Sequence, residues 1–182
     1  AMIATFNGVG IEAHPVLADR HYGTHTHCGL IVIFENIPLL LDPGYLLFKP
    51  TPFSCLKVVS VFTGFNLIEL VPISGGKKIE LYTIVKGNRK LRLVYKTDFV
   101  DAIQFRNAWE SSFTWEMMTY PVLTRVSACQ HMYLQGKSIS IRTNQTTKRQ
   151  QMSSENQFKC MTSTFGISQD VVKNALEVLH NG

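Results

Sequence analysis

The stretch T-H-C-G-L-I-V-I-F-E-N-I-P-L-L-L-D-P-G-Y, Thr26 to Tyr45, decides how the chain is read. Its two apolar runs, Cys28 to Phe34 and Ile37 to Leu41, flank Glu35 and Asn36, and together they read as one hairpin. With the turn centred on Glu35 and Asn36, the residue across from Asp42 is Gly29. His27 then lies one diagonal step from Asp42 on the same face, and His25 one step further. A carboxylate beside an imidazole fixes its tautomer and stabilises the imidazolium, the arrangement that activates a nucleophile. Pro43, Gly44 and Tyr45 end the second strand in a tight turn, which puts Asp42 and Tyr45 at the rim of a site.

Beyond Tyr45 come short apolar runs, Leu56 to Phe62, Phe65 to Val71, Lys78 to Val85 and Leu91 to Tyr95. Gly64, the pair Gly75 and Gly76, and the segment Lys86 to Arg89 punctuate them as hairpin turns would. Added to the first two strands, these make a closed or nearly closed antiparallel β-barrel of roughly the first hundred residues. Asp98 to Trp109 loosens into a short amphipathic connector, and a domain boundary is placed after residue 108. Past it, Val122 to Val126, Met132 to Gln135 and Ser138 to Arg142 read as strands, with Gly136 and Lys137 as a hairpin turn. Thr143 to Glu155 is a polar segment, whose Asn144, Gln145 and Thr146 match a glycosylation sequon by chance. Gln157 to Thr164 reads as a short helix or an irregular arm. The last element is a helix: Ser168 serves as N-cap, and Val172, Ala175, Leu176 and Leu179 fall at helical spacing. The class is therefore α+β, a barrel over 1–108 and a small α/β lid over 109–182.

Upstream of the hairpin, Thr5 to Ala18 carries Gly8, Gly10 and Pro15 and is read as a short extended segment rather than a helix. Asp19 to His27 is read as a loop. It gathers His21, His25 and His27 around Gly23, but no cysteine or carboxylate completes a ligand set at useful spacing, so no metal is expected.

The totals set bounds. The chain has 182 residues, 45% of them hydrophobic and 17% charged, which are globular values. No apolar run reaches the roughly eighteen residues of a membrane span. With no leader expected before Ile3, a soluble, cytoplasmic protein is the reading. The net charge of +5 would favour a polyanionic small ligand, but the basic groups fall in turns, so neither nucleic acid nor membrane is expected as a partner. Cys28, Cys55, Cys129 and Cys160 show no C-x-x-C spacing. None of them can be set beside the pair from sequence: Cys28 adjoins His27, yet successive strand residues point to opposite faces.

The Thr26 to Tyr45 run resembles the stretch of arylamine N-acetyltransferases in which a triad His is followed fifteen residues later by a triad Asp. Asn107 with Ser111 and Ser112 resembles the family's Asn and Ser-Thr at the coenzyme A site. Leu123 with Arg125, and Phe165 to Ile167 before a closing helix, are also similar. The resemblance implies part of a cysteine-proteinase-like or transglutaminase-like fold, and acetyl transfer from acetyl-CoA through a cysteine thiolate to the nitrogen of a small-molecule arylamine or hydrazine. By the same carry-over His27 and Asp42 are catalytic, Tyr45 lines the acceptor pocket, and Asn107, Ser111 and Ser112 bind the coenzyme. Family members carry R-G-G-x-C on a helix before the His, and nothing before His27 supplies it. The expectation is therefore of the family's second and third domains, with the N-terminal helical domain and its cysteine lying outside the chain. A transglutaminase-like amidase or peptidase and a catalytically dead binding module are the alternatives.

Overall fold

The computed structural model describes residues 2–127, 129–143 and 146–181, in two compact units, 1–111 and 112–182. Asn144 and Gln145 of the sequon lie outside the described residues.

The first unit is built on an eight-stranded antiparallel sheet that curls into a nearly closed barrel. In chain order its strands are β1 (Ala13–Arg20), β2 (Gly23–Phe34), β3 (Ile37–Asp42), β4 (Leu47–Pro52), β5 (Val59–Phe62), β6 (Leu67–Ile73), β7 (Lys78–Val85) and β8 (Asn88–Lys96). They lie in the order β4-β3-β2-β1-β8-β7-β6-β5. The β2–β3 hairpin forms as expected, pairing Phe34 with Ile37 and Leu30 with Leu41. Its two turn residues, Glu35 and Asn36, have φ of 49° and 63°, the left-handed pair that matches strand twist in a two-residue hairpin.

The N-terminal part of this unit differs from the sequence reading in two ways. Met2–Gly8 is a helix, α1, rather than extended chain. Ile3 and Phe6 face one way and pack with Ile11 on Ala13, Leu30, Val32 and Leu41, so α1 covers the outer face of β1, β2 and β3. This explains why β2 reads as a continuous apolar run: its neighbouring residues are buried on opposite faces of the sheet. The second difference is β1, which runs on to Arg20 and pairs with β2 from Ala13↔Val32 to Arg20↔Gly23. Most of the expected loop at 19–27 is therefore strand. Inside the barrel, Val16, Ala18, Ile31, Leu40, Leu47, Ile68, Leu81, Leu93 and Tyr95 form one core.

Helix α2 (Ala102–Ser112) replaces the expected connector. Asp101 starts it, its Oδ1 accepting from the backbone N–H of Ile103 and Gln104, each at 2.8 Å. Gln104 Oε1 returns a bond to the Asp101 N–H at 3.2 Å, a reciprocal cap.

The second unit holds a four-stranded antiparallel sheet of β9 (Val122–Val126), β10 (His131–Gln135), β11 (Ser138–Arg142) and β12 (Thr147–Gln151). Three of these were expected; β12 lies in the polar segment, where nothing apolar marks it. Helix α3 (Ser154–Lys159) runs into a π-helical turn at Cys160–Thr164, and α4 (Gln169–Asn181) closes the chain. Val172 and Leu176 of α4 pack with Met161, Leu134 and Ile139, the docking of one apolar stripe on the sheet that the sequence implies.

Candidate active site

His27 sits on β2 and Asp42 at the end of β3, and the hairpin register brings them together: His27 Nε2 lies 2.6 Å from Asp42 Oδ2. Asp42 is not at a rim, as the sequence suggested, but almost fully buried at 2% exposure, while the His27 side chain keeps 12%. A buried carboxylate needs donors, and it has a second one. Tyr95 of β8 donates its hydroxyl to the same Oδ2.

The sheet's order explains how a residue from β8 arrives there. Ala18 of β1 pairs with His27 on one side and with Tyr95 on the other, so the three stand in a row across β2, β1 and β8. Ala18 is small enough to let the two rings approach, 6.4 Å between centroids. Gly29 clears the next place: a Cβ there would lie 3.1 Å from Leu40, 3.2 Å from Val16 and 3.4 Å from the Tyr95 ring. Burial first, and then the Asp42 carboxylate, hold the Tyr95 hydroxyl well above the ordinary phenol range, so it remains a donor. Gly44 closes the pair from above, since a Cβ there would stand 3.1 Å from both Asp42 Oδ1 and His27 Cε1. Pro43–Tyr45 forms a short 3₁₀ turn that lays the Tyr45 ring edge-on to His27, 5.3 Å between centroids.

On its other nitrogen His27 meets a residue that the sequence reading passed over. Arg20 Nη2 is 3.0 Å from His27 Nδ1. Arg20 lies just past Ala18 on β1, beyond an irregularity in the β1–β2 register, and its side chain reaches His27 from the strand's end. Tyr95 had no local signal, because its approach depends on the β1–β8 pairing between distant segments.

The two cysteines of the first unit do not serve this pair. Cys28 donates its thiol to its own neighbour's carbonyl, Gly29 O, at 3.2 Å. Although the residue is solvent-accessible, the thiol is pushed up to about 11 by loss of hydration, and secondarily by the Asp42 charge. It is therefore a poor source of thiolate at neutral pH. Cys55 lines a small cleft with His14 and Asp98, and the lining includes neither His27 nor Asp42.

The remaining residues singled out from sequence are scattered. Asn107, Ser111 and Ser112 all lie on α2, with Asn107 and Ser111 exposed; Ser111 Oγ donates to the Asn107 carbonyl at 2.7 Å. Leu123 lines an open apolar groove of about 740 Å³ in the second unit, together with Trp115, Met118 and Val178. Arg125 donates to the Thr164 carbonyl. His25 lies 2.9 Å from Lys96 Nζ, and His21 packs edge-on against Tyr22. Among the described residues no three His, Cys, Asp or Glu side chains gather as a metal set.

No family model and no curated protein sequence matches the chain. Solved structures do match it. An arylamine N-acetyltransferase of Mycobacterium smegmatis, in a variant with one cysteine replaced by glutamine, aligns over 98% of this chain and 72% of its own, at 18% identity and a TM-score of 0.79. That of Mycobacterium marinum in complex with CoA aligns over 98% and 71%, at 16% identity and a TM-score of 0.81. A Bacillus cereus arylamine N-acetyltransferase with a Cys-His-Glu catalytic triad aligns over 92% and 70%, at 17% identity and a TM-score of 0.71. The chain has the arylamine N-acetyltransferase fold.

Proposed function

We propose that this chain supplies the base and its orienting carboxylate for an acetyl-CoA-dependent N-acetyltransferase acting on an arylamine or hydrazine. The observation that carries this is the 2.6 Å contact between His27 and a buried Asp42, on the fold shared with enzymes of that activity. Asp42 takes the Nε2 proton as a hydrogen bond, which fixes the ring and stabilises the imidazolium that forms when Nδ1 takes a proton. The proton comes from a thiol, a role for which Cys28 and Cys55 of the first unit are not placed. Acetyl-CoA supplies the acyl group as a thioester. As the thiolate takes the acetyl group, coenzyme A leaves as a thiolate and takes the Nδ1 proton; the neutral ring then accepts the proton of the incoming amine, so one ring serves both halves of a ping-pong cycle.

Tyr45, edge-on to His27, is suited to hold the acceptor's aromatic ring beside the base. The exposed amide of Asn107 and the hydroxyls of Ser111 and Ser112 offer the polar groups that the amides and phosphates of coenzyme A require.

The test is acetyl transfer from acetyl-CoA to a simple aniline by the protein as its own cell produces it. Acetylated amine, formed only when acetyl-CoA is present, is expected. Hydrolysis of amide substrates without use of coenzyme A would support the amidase reading instead, and binding with no turnover would support the binding module.

A further inference from the structure

Arg20 is placed unusually for a half-buried cation. Its Nη1 donates to the Tyr22 hydroxyl at 2.7 Å, its Nη2 meets His27 Nδ1 at 3.0 Å, and its Nε is buried without any partner. Among the described residues it forms no ion pair with a carboxylate. The Tyr45 ring centroid is 5.9 Å from its central carbon.

A guanidinium has five N–H donors and no acceptor, so at this contact Nδ1 must be the acceptor. Asp42, being a carboxylate, accepts from Nε2. Both ends of the imidazole are thus assigned: Nε2 carries the proton, and Nδ1 presents a lone pair to Arg20. Nδ1 is the only ring nitrogen able to take a further proton, and a proton placed there would break the Arg20 contact and face a cation. His27 can act as a base only after Nδ1 is vacated. What holds Arg20 in place is the tyrosines Tyr22 and Tyr45 and a neutral imidazole, with no opposite charge, so the hold is exchangeable.

We propose that Arg20 is a positioning residue that caps the Nδ1 lone pair of His27 and yields its place to the entering nucleophile. Resting on the acyltransfer reading, the exchange balances as follows. The entering thiol gives its proton to Nδ1, leaving a thiolate and an imidazolium whose Nε2–H stays on Asp42. The released guanidinium, still tethered at Tyr22, keeps its unpartnered Nε–H for the new sulfur anion. Arg20 thereby passes from a cap on the base to a counter-charge for the nucleophile.

The cap is tested in the chain as it stands, without any acyl donor, so its outcome is separate from that of the acetyl-transfer assay. Nitrogen-15 resonances of the His27 ring and the rate of its carbethoxylation by diethyl pyrocarbonate are compared for the parent, Arg20→Ala and Arg20→Lys proteins. In Arg20→Ala the Nδ1 resonance is expected to move downfield, toward that of a free lone pair. Carbethoxylation of His27 should quicken roughly tenfold, the factor that loss of one charge-assisted hydrogen bond represents. Arg20→Lys, which keeps a charged donor, should return both toward the parent values while His14 and His131 react at unchanged rates. An Nδ1 resonance and a His27 rate that do not change in Arg20→Ala would overturn the proposal. So would an acceleration shared by His14 and His131, which reports a loosened fold rather than an uncapped ring.

Discussion

Tyr95 and His27 donate to the same oxygen, Oδ2 of Asp42. One hydroxyl from β8 thus shares with the imidazole the task of neutralising a carboxylate that is almost entirely out of water. The β1 strand between them contributes only the methyl group of Ala18.

Removing the hydroxyl leaves Asp42 buried with a donor missing. Tyr95→Phe should therefore cost about 1–3 kcal/mol of stability, the range for a buried acceptor stripped of a partner. Urea unfolding of the parent and variant chains measures it, and a difference below experimental error would mean that Tyr95 adds packing alone.

Tyr95 also makes stability depend on alkaline pH. Its ionisation is raised in the fold, by burial first, whereas an unfolded tyrosine ionises near about 10. The sign follows from linkage: the unfolded state loses the proton first. The contribution is complete below about pH 10 and is lost as pH rises toward the higher folded value. Unfolding free energy should fall more steeply above about pH 10 in the parent than in Tyr95→Phe. Parallel curves would contradict this.

Cys28, raised to about 11, should resist alkylation near neutral pH. Its rate with iodoacetamide should climb roughly tenfold per pH unit between about pH 8 and 10, because only the thiolate reacts. Peptide mapping after timed labelling reads the rate directly. Rapid labelling of Cys28 near neutral pH would place a thiolate next to His27 and reopen the question of the nucleophile.

Gly44→Ala is a steric probe of the pair. Its new Cβ would stand 3.1 Å from Asp42 Oδ1 and from His27 Cε1, so the turn or the imidazole must shift. A loss of about 1–2 kcal/mol is expected, with a change in the His27 ring resonances. A variant with parent stability and unchanged resonances would show that the turn gives way freely.

Much of this site is legible in the sequence. The hairpin and its register follow from two apolar runs around Glu35 and Asn36, and the register alone pairs His27 with Asp42. The barrel and three of the four strands of the second unit follow from turn residues spaced between short apolar runs. What escaped notice did so for identifiable reasons. Gly8 and Gly10 disguised α1, which covers the outer face of β2, whereas the extended reading holds for Ala13 to Ala18 of β1. Polar β12 pairs only at an edge, beside β11, and buries nothing that a hydrophobic pattern would reveal. Arg20 was hidden because His21, Tyr22 and Gly23 made a strand end look like the start of a loop. Tyr95 reaches Asp42 from 53 residues away, through a pairing that no local pattern encodes.

The most direct test of the central claim is acetyl transfer from acetyl-CoA to an aniline by the protein as its cell makes it, compared with its His27→Gln and Asp42→Asn variants. Turnover in the parent is expected, with His27→Gln falling to background. Asp42→Asn should lose on the order of 10³–10⁴ in rate, the scale seen when the carboxylate that orients a catalytic histidine is neutralised. Acetyl transfer that survives His27→Gln would contradict the account, as would a parent protein that never acetylates the amine.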